Sequence, residues 1–214
     1  MTDRHKRLRS AHLYLVCEDQ PDEFLAGALA GGVDIVQLRM KDASDEEIVS
    51  AGRSFAAAAA EHGALFMLND RPDLVAATGA DGVHVGQDDA SVDDARAIVG
   101  PELLVGLSTH SPAQVDVAAT APVDYIGVGP VHETPTKPGR PAVGLELVRY
   151  AAAHASVPFF AIGGIDPANV GAVADAGATR IAVVRALTRA DDVESAARAL
   201  RAAVCAGVRV GSAG

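Results

Sequence analysis

The sequence predicts an α/β protein built as a single (β/α)8 TIM barrel. Two observations carry that expectation. Within 214 residues, a short run rich in Val, Ile and Leu followed by an Ala-rich amphipathic stretch recurs eight times. Alternation of that length closes into a barrel of parallel strands. The runs are also apolar almost throughout, without a clean polar–apolar alternation, as strands are when helices cover them on the outside. An open doubly wound sheet is the other architecture with this alternation.

Taken in order, a strand at His12–Glu18 is followed by a helical stretch at Pro21–Ala30, which Gly31-Gly32 ends. A strand at Asp34–Lys41 precedes the helical stretch Ser44–His62, where Ser44 and Glu47 have capping-box spacing and Gly63 is the stop. Ala64–Asp70 leads to Arg71–Thr78 and Gly79, and Gly82–Gln87 leads to Ser91–Val99 and Gly100. Leu103–Ser108 is followed by Ser111–Thr120, with Pro112 at the first helical position. Asp124–Val131 runs into one long loop at residues 132–144, stiffened by Pro135, Pro138 and Pro141, before Leu145–Ala155. Pro158–Ile165 pairs with Pro167–Ala176 and Gly177, and Arg180–Leu187 with Asp191–Val204.

One catalytic domain over residues 11–208 is expected, with no second domain and no interdomain linker. In residues 1–10, Arg4, Lys6, Arg7 and Arg9 outnumber Asp3, and this basic leader reads as a disordered tail. Residues 209–214 read as a flexible tail. The net charge of −10 argues against nucleic acid as a partner. The apolar runs fall far below the roughly 20 residues that span a bilayer. With no signal segment, the expectation is a cytoplasmic protein. A homo-oligomer is the one macromolecular partner the sequence leaves open. Cys17 and Cys205 form neither a disulfide framework nor a zinc signature, and Cys17 reads as a small buried hydrophobe.

The polar signals cluster where the apolar runs end, which in such barrels is the catalytic face. Strand side chains alternate, so Gln37, Arg39 and Lys41 share one face while Leu38 and Met40 point into the helical layer. An amide, a guanidinium fork and an ammonium aimed at the barrel mouth suit a diphosphate. A polar strand end protruding into solvent is the plain alternative. Asn69-Asp70 and Asp88-Asp89 end or follow neighbouring strands. Two carboxylates there suit magnesium, which completes its shell with water and phosphate oxygens. Asp70 is the better candidate; spacing leaves Asp88 and Asp89 undecided, and either could instead cap the next helix. His84 reads as packed in the barrel. Gly163-Gly164 and Val184-Arg185 close the seventh and eighth strands, where phosphate binds in many barrels. Thr134-Pro135-Thr136-Lys137 adds hydroxyls and a lysine from the long loop, and Lys6, Lys41 and Lys137 are the only lysines. His110 and His132 have no Ser/Asp constellation that would make them general bases.

These segments together resemble the thiamine phosphate synthase family. The likeness runs the length of the barrel, through QLRMK at 37–41, LND at 68–70, DGVHVGQDD at 81–89, GLSTH at 106–110, GPVHETPTK at 129–137, AIGGI at 161–165 and VVRAL at 183–187. The resemblance implies condensation of 4-amino-5-hydroxymethyl-2-methylpyrimidine diphosphate with a thiazole ethyl phosphate, giving thiamine phosphate and diphosphate. It implies that Gln37, Leu38, Arg39, Met40, Lys41, Asn69, Ser108 and Lys137 hold the pyrimidine diphosphate, with Arg39, Lys41, Ser108 and Lys137 catalytic. It implies that Asp70 and Asp89 hold Mg2+, and that Thr134, Pro135, Thr136, Gly164, Val184 and Arg185 hold the thiazole phosphate. The family often carries an acid where Met40 stands and a serine where Arg185 stands. A thiazole tautomerase-like barrel or a non-catalytic phosphate-ligand sensor are the rival readings, and the cation and carboxylate set speaks against both.

Overall fold

The computed structural model describes residues 2–133 and 141–208, with the side chains of 207 and 208 excepted. The tail at 209–214 and the loop residues Thr134, Pro135, Thr136 and Lys137 therefore lie outside the described residues.

Eight parallel strands close into a barrel in sequence order: β1 Leu13–Cys17, β2 Ile35–Leu38, β3 Leu65–Asn69, β4 Gly82–Val85, β5 Leu104–Thr109, β6 Tyr125–Val128, β7 Phe159–Ile162 and β8 Ile181–Val183. Tyr14 pairs with both Ile35 of β2 and Ala182 of β8, which seals the ring. The alternation of side chains divides the core in two. Leu13, Leu15, Val36, Leu38, Phe66 and Leu68 face outward into the layer of helices. Tyr14, Val16, Ile35, Leu65, Met67, Leu104, Tyr125 and Phe160 fill the interior as a separate cluster. Burial on both faces is why the runs read as nearly unbroken apolar sequence.

Local signals match the element ends. Ser44 and Glu47 form the complete capping box of the helix Asp45–His62, and Gly63 ends it at φ 67°. Interior space is set by small residues. Gly106 of β5 lies opposite Tyr125 of β6, and a Cβ at 106 would stand 2.2 Å from Cζ of that ring.

Two expectations are corrected. The basic leader is ordered: Asp3–Ser10 is a helix, N-capped by Thr2. Its one apolar side chain, Leu8, is buried against the barrel interior. Arg4 Nε donates to Asp81 at 2.6 Å, His5 Nε2 meets Asp124 at 3.1 Å, and Arg7 donates to the Ala64 carbonyl at 2.9 Å. Charges that would favour a solvated tail instead meet acceptors gathered at the strand starts by the closed topology. The eighth strand is also shorter than expected. It ends at Val183, and Arg185–Thr188 forms a short helix that buries Leu187 completely.

Cys17 and Cys205 are free thiols. Burial, reinforced by Asp19 and Glu18, pushes the Cys17 thiol up to about 12, as suits a small buried hydrophobe. Among the described residues, no helix is long and apolar enough to cross a membrane.

Candidate active site

A cavity of about 320 Å³ opens at the carboxyl-terminal ends of the strands. Gln37, Arg39, Lys41, Asn69, Asp70, Asp89, Ser108, Gly164, Val184 and Arg185 all line it, although they come from six different strand ends. Leu38 and Met40 do not. Leu38 is buried in the outer layer and Met40 packs against it, as alternation along β2 requires.

At the mouth, Lys41 Nζ stands 3.3 Å from Asp70 Oδ2. Asp70 continues the ladder by donating its N–H to the His84 carbonyl at 2.8 Å, then turns with φ 61°, a backbone angle few non-glycine residues adopt. Burial and the facing Asp89 carboxylate hold the Asp70 carboxyl above its ordinary range, and Lys41 opposes them. Asp89 Oδ2 in turn accepts from the Gly86 N–H at 3.0 Å. The next helix, Val92–Val99, is capped by Ser91. Asp89 is thereby left to the cavity, whereas Asp88 does not line it. Among the described residues, no cluster of three or more His, Cys, Asp or Glu is arranged to hold a metal ion. Asp70 and Asp89 form a facing carboxylate pair in the cavity, which Asp166 also lines. Two facing carboxylates repel one another when both are ionised.

The Gly163-Gly164 turn sits beside β8. Both residues have positive φ, 108° and 62°, and a Cβ on Gly163 would strike Pro130 at 2.5 Å. Only glycine fits that turn. Asn169 Nδ2 donates to the Gly164 carbonyl at 2.8 Å and pins it. Arg185 opens the short helix after β8, a position that forms part of the phosphate site in many barrels.

Below the charged rim, the cavity floor is aromatic, formed by Tyr14, Tyr125 and Phe160. The Phe160 ring meets both tyrosines edge-on, with centroids 5.3 and 5.7 Å away. A polar line crosses this floor. Gln37 Nε2 lies 2.5 Å from the Tyr14 hydroxyl, which lies 2.9 Å from that of Tyr125. The Tyr125 hydroxyl is 3.1 Å from His84 Nδ1, and His84 Nε2 is 2.9 Å from Ser108 Oγ. His84 thus packs in the barrel, as expected, yet its ring bonds to Ser108 in the cavity. Tyr14 and Tyr125 were not among the expected site residues. Parity along β1 and β6 was the available signal, since both occupy inward positions. His110 also lines the cavity, with Nδ1 bonded to the Gly129 carbonyl.

The comparisons agree with this geometry. The family model described as thiamine monophosphate synthase matches residues 13–187. A thiamine-phosphate synthase of Mycolicibacterium smegmatis is 48% identical over 94% of this chain and 95% of its own length. One of Gloeobacter violaceus is 50% identical over 89% of this chain, which spans 56% of that longer relative. A solved structure of thiamine phosphate pyrophosphorylase from Pyrococcus furiosus superposes with a TM-score of 0.86 at 32% identity, covering 96% of this chain and all of that one. With the family model matching residues 13–187 and relatives about half identical over most of the chain, the chain belongs to the thiamine monophosphate synthase family.

Proposed function

We propose that this transferase of thiamine biosynthesis works with Mg2+ held between Asp70 and Asp89, and that Arg39, Lys41, Lys137 and Ser108 carry out the coupling. The observation that carries the reading is the carboxylate pair. Burial and the facing Asp89 carboxylate together raise the Asp70 proton affinity, with Lys41 3.3 Å away. A divalent cation relieves that repulsion, and the oxygen donor set fits magnesium. When bound, magnesium would neutralise phosphate oxygens of the departing diphosphate.

The residues of the chain then have distinct tasks. The bond from the pyrimidine's exocyclic carbon to the diphosphate oxygen breaks, and the aminopyrimidine ring shares the positive charge left behind. The thiazole nitrogen uses its own lone pair to form the new carbon–nitrogen bond, so no proton has to be abstracted. Arg39, Lys41 and Lys137 meet the growing negative charge on the leaving group, a task for preorganised cations. Gln37, Asn69 and Ser108 hold the pyrimidine over the aromatic floor. Gly164, Val184 and Arg185, together with Thr134, Pro135 and Thr136, hold the thiazole phosphate in line for attack. Where the family often has a serine, Arg185 replaces a hydroxyl contact with a charge-assisted one. Small phosphorylated substrates suit action in the cytoplasm.

The test is to supply both substrates with and without Mg2+ and follow diphosphate and thiamine phosphate by chromatography. Magnesium-dependent formation of both products in equal amounts is expected. Equal turnover after exhaustive chelation would remove the metal from the reading. Tight binding of a thiazole phosphate without coupling would favour a tautomerase or sensor.

A further inference from the structure

The polar line across the barrel floor joins two residues from strands that are not neighbours, Gln37 of β2 and Ser108 of β5. We infer that Gln37, Tyr14, Tyr125, His84 and Ser108 act as one directional hydrogen-bond wire. The wire couples the way the Gln37 amide is turned to whether Ser108 donates or accepts, which makes Tyr14, Tyr125 and His84 positioning residues for recognition of an aminopyrimidine. The inference rests on the substrate reading above and extends it to residues that need not touch the substrate.

Proton counting gives the constraint. Each tyrosine hydroxyl has one proton to donate, a neutral imidazole has one N–H, and the Ser108 hydroxyl has one. In the arrangement observed, Gln37 Nε2 donates to Tyr14. Tyr14 must then donate to Tyr125, Tyr125 to His84 Nδ1, and His84 Nε2–H to Ser108. The Ser108 proton is left for the cavity, so Ser108 donates while the Gln37 carbonyl is the end that accepts. Turning the Gln37 amide over reverses every link. Tyr14 then donates to the Gln37 carbonyl, Ser108 donates to His84 and accepts from the cavity, and Gln37 donates with its amide N–H. In the first direction the amide oxygen faces the cavity while Ser108 donates; in the second the amide NH2 faces it while Ser108 accepts.

The wire is built to persist. Tyr125 is fully buried, and Tyr14 and Gln37 are 2% and 3% exposed, so a broken link strands a polar group out of water. Burial raises both phenols far above neutrality, which leaves each with its single proton. Space for the middle link is provided by Gly106, since any Cβ there would overlap the Tyr125 ring. An aminopyrimidine offers the complementary pair: a ring nitrogen accepts and the exocyclic amino group donates. A pyrimidine with methoxy in place of amino offers acceptors only, and an intact wire cannot turn the amide NH2 into the carbonyl's place and keep the Ser108 proton free at once.

The test compares Kd values for the aminopyrimidine diphosphate and its 4-methoxy counterpart by calorimetry, without thiazole phosphate. The proteins are the wild type, Tyr125→Phe and Tyr14→Phe, each checked by thermal melting. Each substitution removes one hydroxyl, keeps the ring and cuts the wire at its middle. With the halves free to turn separately, the preference for amino over methoxy should narrow by about tenfold, roughly the worth of one hydrogen bond. The steric difference between the two ligands cancels in the ratio. If either folded variant keeps the wild-type ratio, including by losing affinity for both ligands equally, the wire does not set recognition. Tyr14→Phe decides the matter alone should Tyr125→Phe fail to fold. If the wild type binds neither diphosphate, the substrate reading fails first and takes the inference with it.

Discussion

The two ends of this barrel use the same residue type in opposite ways. At the amino-terminal end, Asp34, Asp81 and Asp124 stand just ahead of β2, β4 and β6, and each is saturated with donors. Asp34 accepts from the His12 and Leu13 N–H groups and from Arg201. Asp81 accepts from the Phe66 N–H and Arg4. Asp124 takes the Val105 N–H at 2.8 Å and Arg96 at 2.6 Å, with His5 beside it. At the corresponding place before β8 stands Arg180, which donates to the Arg9 carbonyl of the leader helix. At the opposite end, Asp70 and Asp89 face each other with Lys41 for company, and Asp70 turns at a rarely adopted backbone angle. Carboxylates with both oxygens satisfied stabilise the fold; carboxylates opposed to each other repel when both are ionised. The partner set, more than the residue type, separates structural from functional acids.

Asp70→Asn should break the functional end most severely. Turnover with Mg2+ should fall by about 100-fold or more, the scale of a lost electrostatic stabiliser. Stability should move the other way. Burial and Asp89 raise the Asp70 pKa above its unfolded value, so ionising it at neutral pH costs stability, and the amide removes that cost. A variant with near-normal turnover, or one with a lowered Tm, would contradict the contrast between the two ends.

Asp124→Ala should show the reverse at the structural end. It strands the Val105 N–H and His5 Nε2 and takes the carboxylate from Arg96, which keeps the Gly100, Leu103 and Pro122 carbonyls, and a loss of about 2 kcal/mol in urea unfolding is expected. Turnover per folded molecule should hold. A large fall in kcat at unchanged stability would show that the bottom of the barrel reaches the chemistry.

How legible each end was follows from how local its causes are. Eight strands and their order were readable because period and burial act within each run. Gln37, Arg39 and Lys41 could be aimed at the mouth from alternation alone, and the structure lines all three on the cavity. The leader helix could not be read. Its partners Asp81 and Asp124 are about 80 and 120 residues away in the chain and become neighbours only when the barrel closes. The same holds for the floor, where Tyr14 and Tyr125 meet across 111 residues. Arg185 was read as a strand end because Ile181–Val183 and Val184 form one apolar run, yet burying Leu187 turns the chain into a helix first.

Between the two ends lies the packed floor, and Gly106→Ala tests how tightly it couples them. The added methyl would stand 2.2 Å from Tyr125 Cζ, so the ring must shift or the strands part. A cost of about 1–3 kcal/mol is expected from overpacking, measured by denaturant melts. A raised KM for the pyrimidine diphosphate should accompany it, with the KM for thiazole phosphate unchanged. A fully stable variant with normal KM would mean that the floor yields more readily than its packing suggests.

The smallest effect is expected where the strand turns its back on the cavity. Met40 lies between Arg39 and Lys41 in sequence, and the family resemblance includes it in the pyrimidine diphosphate segment. Its side chain packs against the outer layer, while its two neighbours line the cavity. Met40→Leu conserves volume and polarity, and such swaps cost less than about 1.5 kcal/mol. Both KM values and kcat should stay within about twofold of the wild type, a change worth less than RT. A clear rise in the pyrimidine diphosphate KM would mean that the outward face of β2 helps to place the cations beside it. The two faces of the strand would then be no more independent than a packed core makes them.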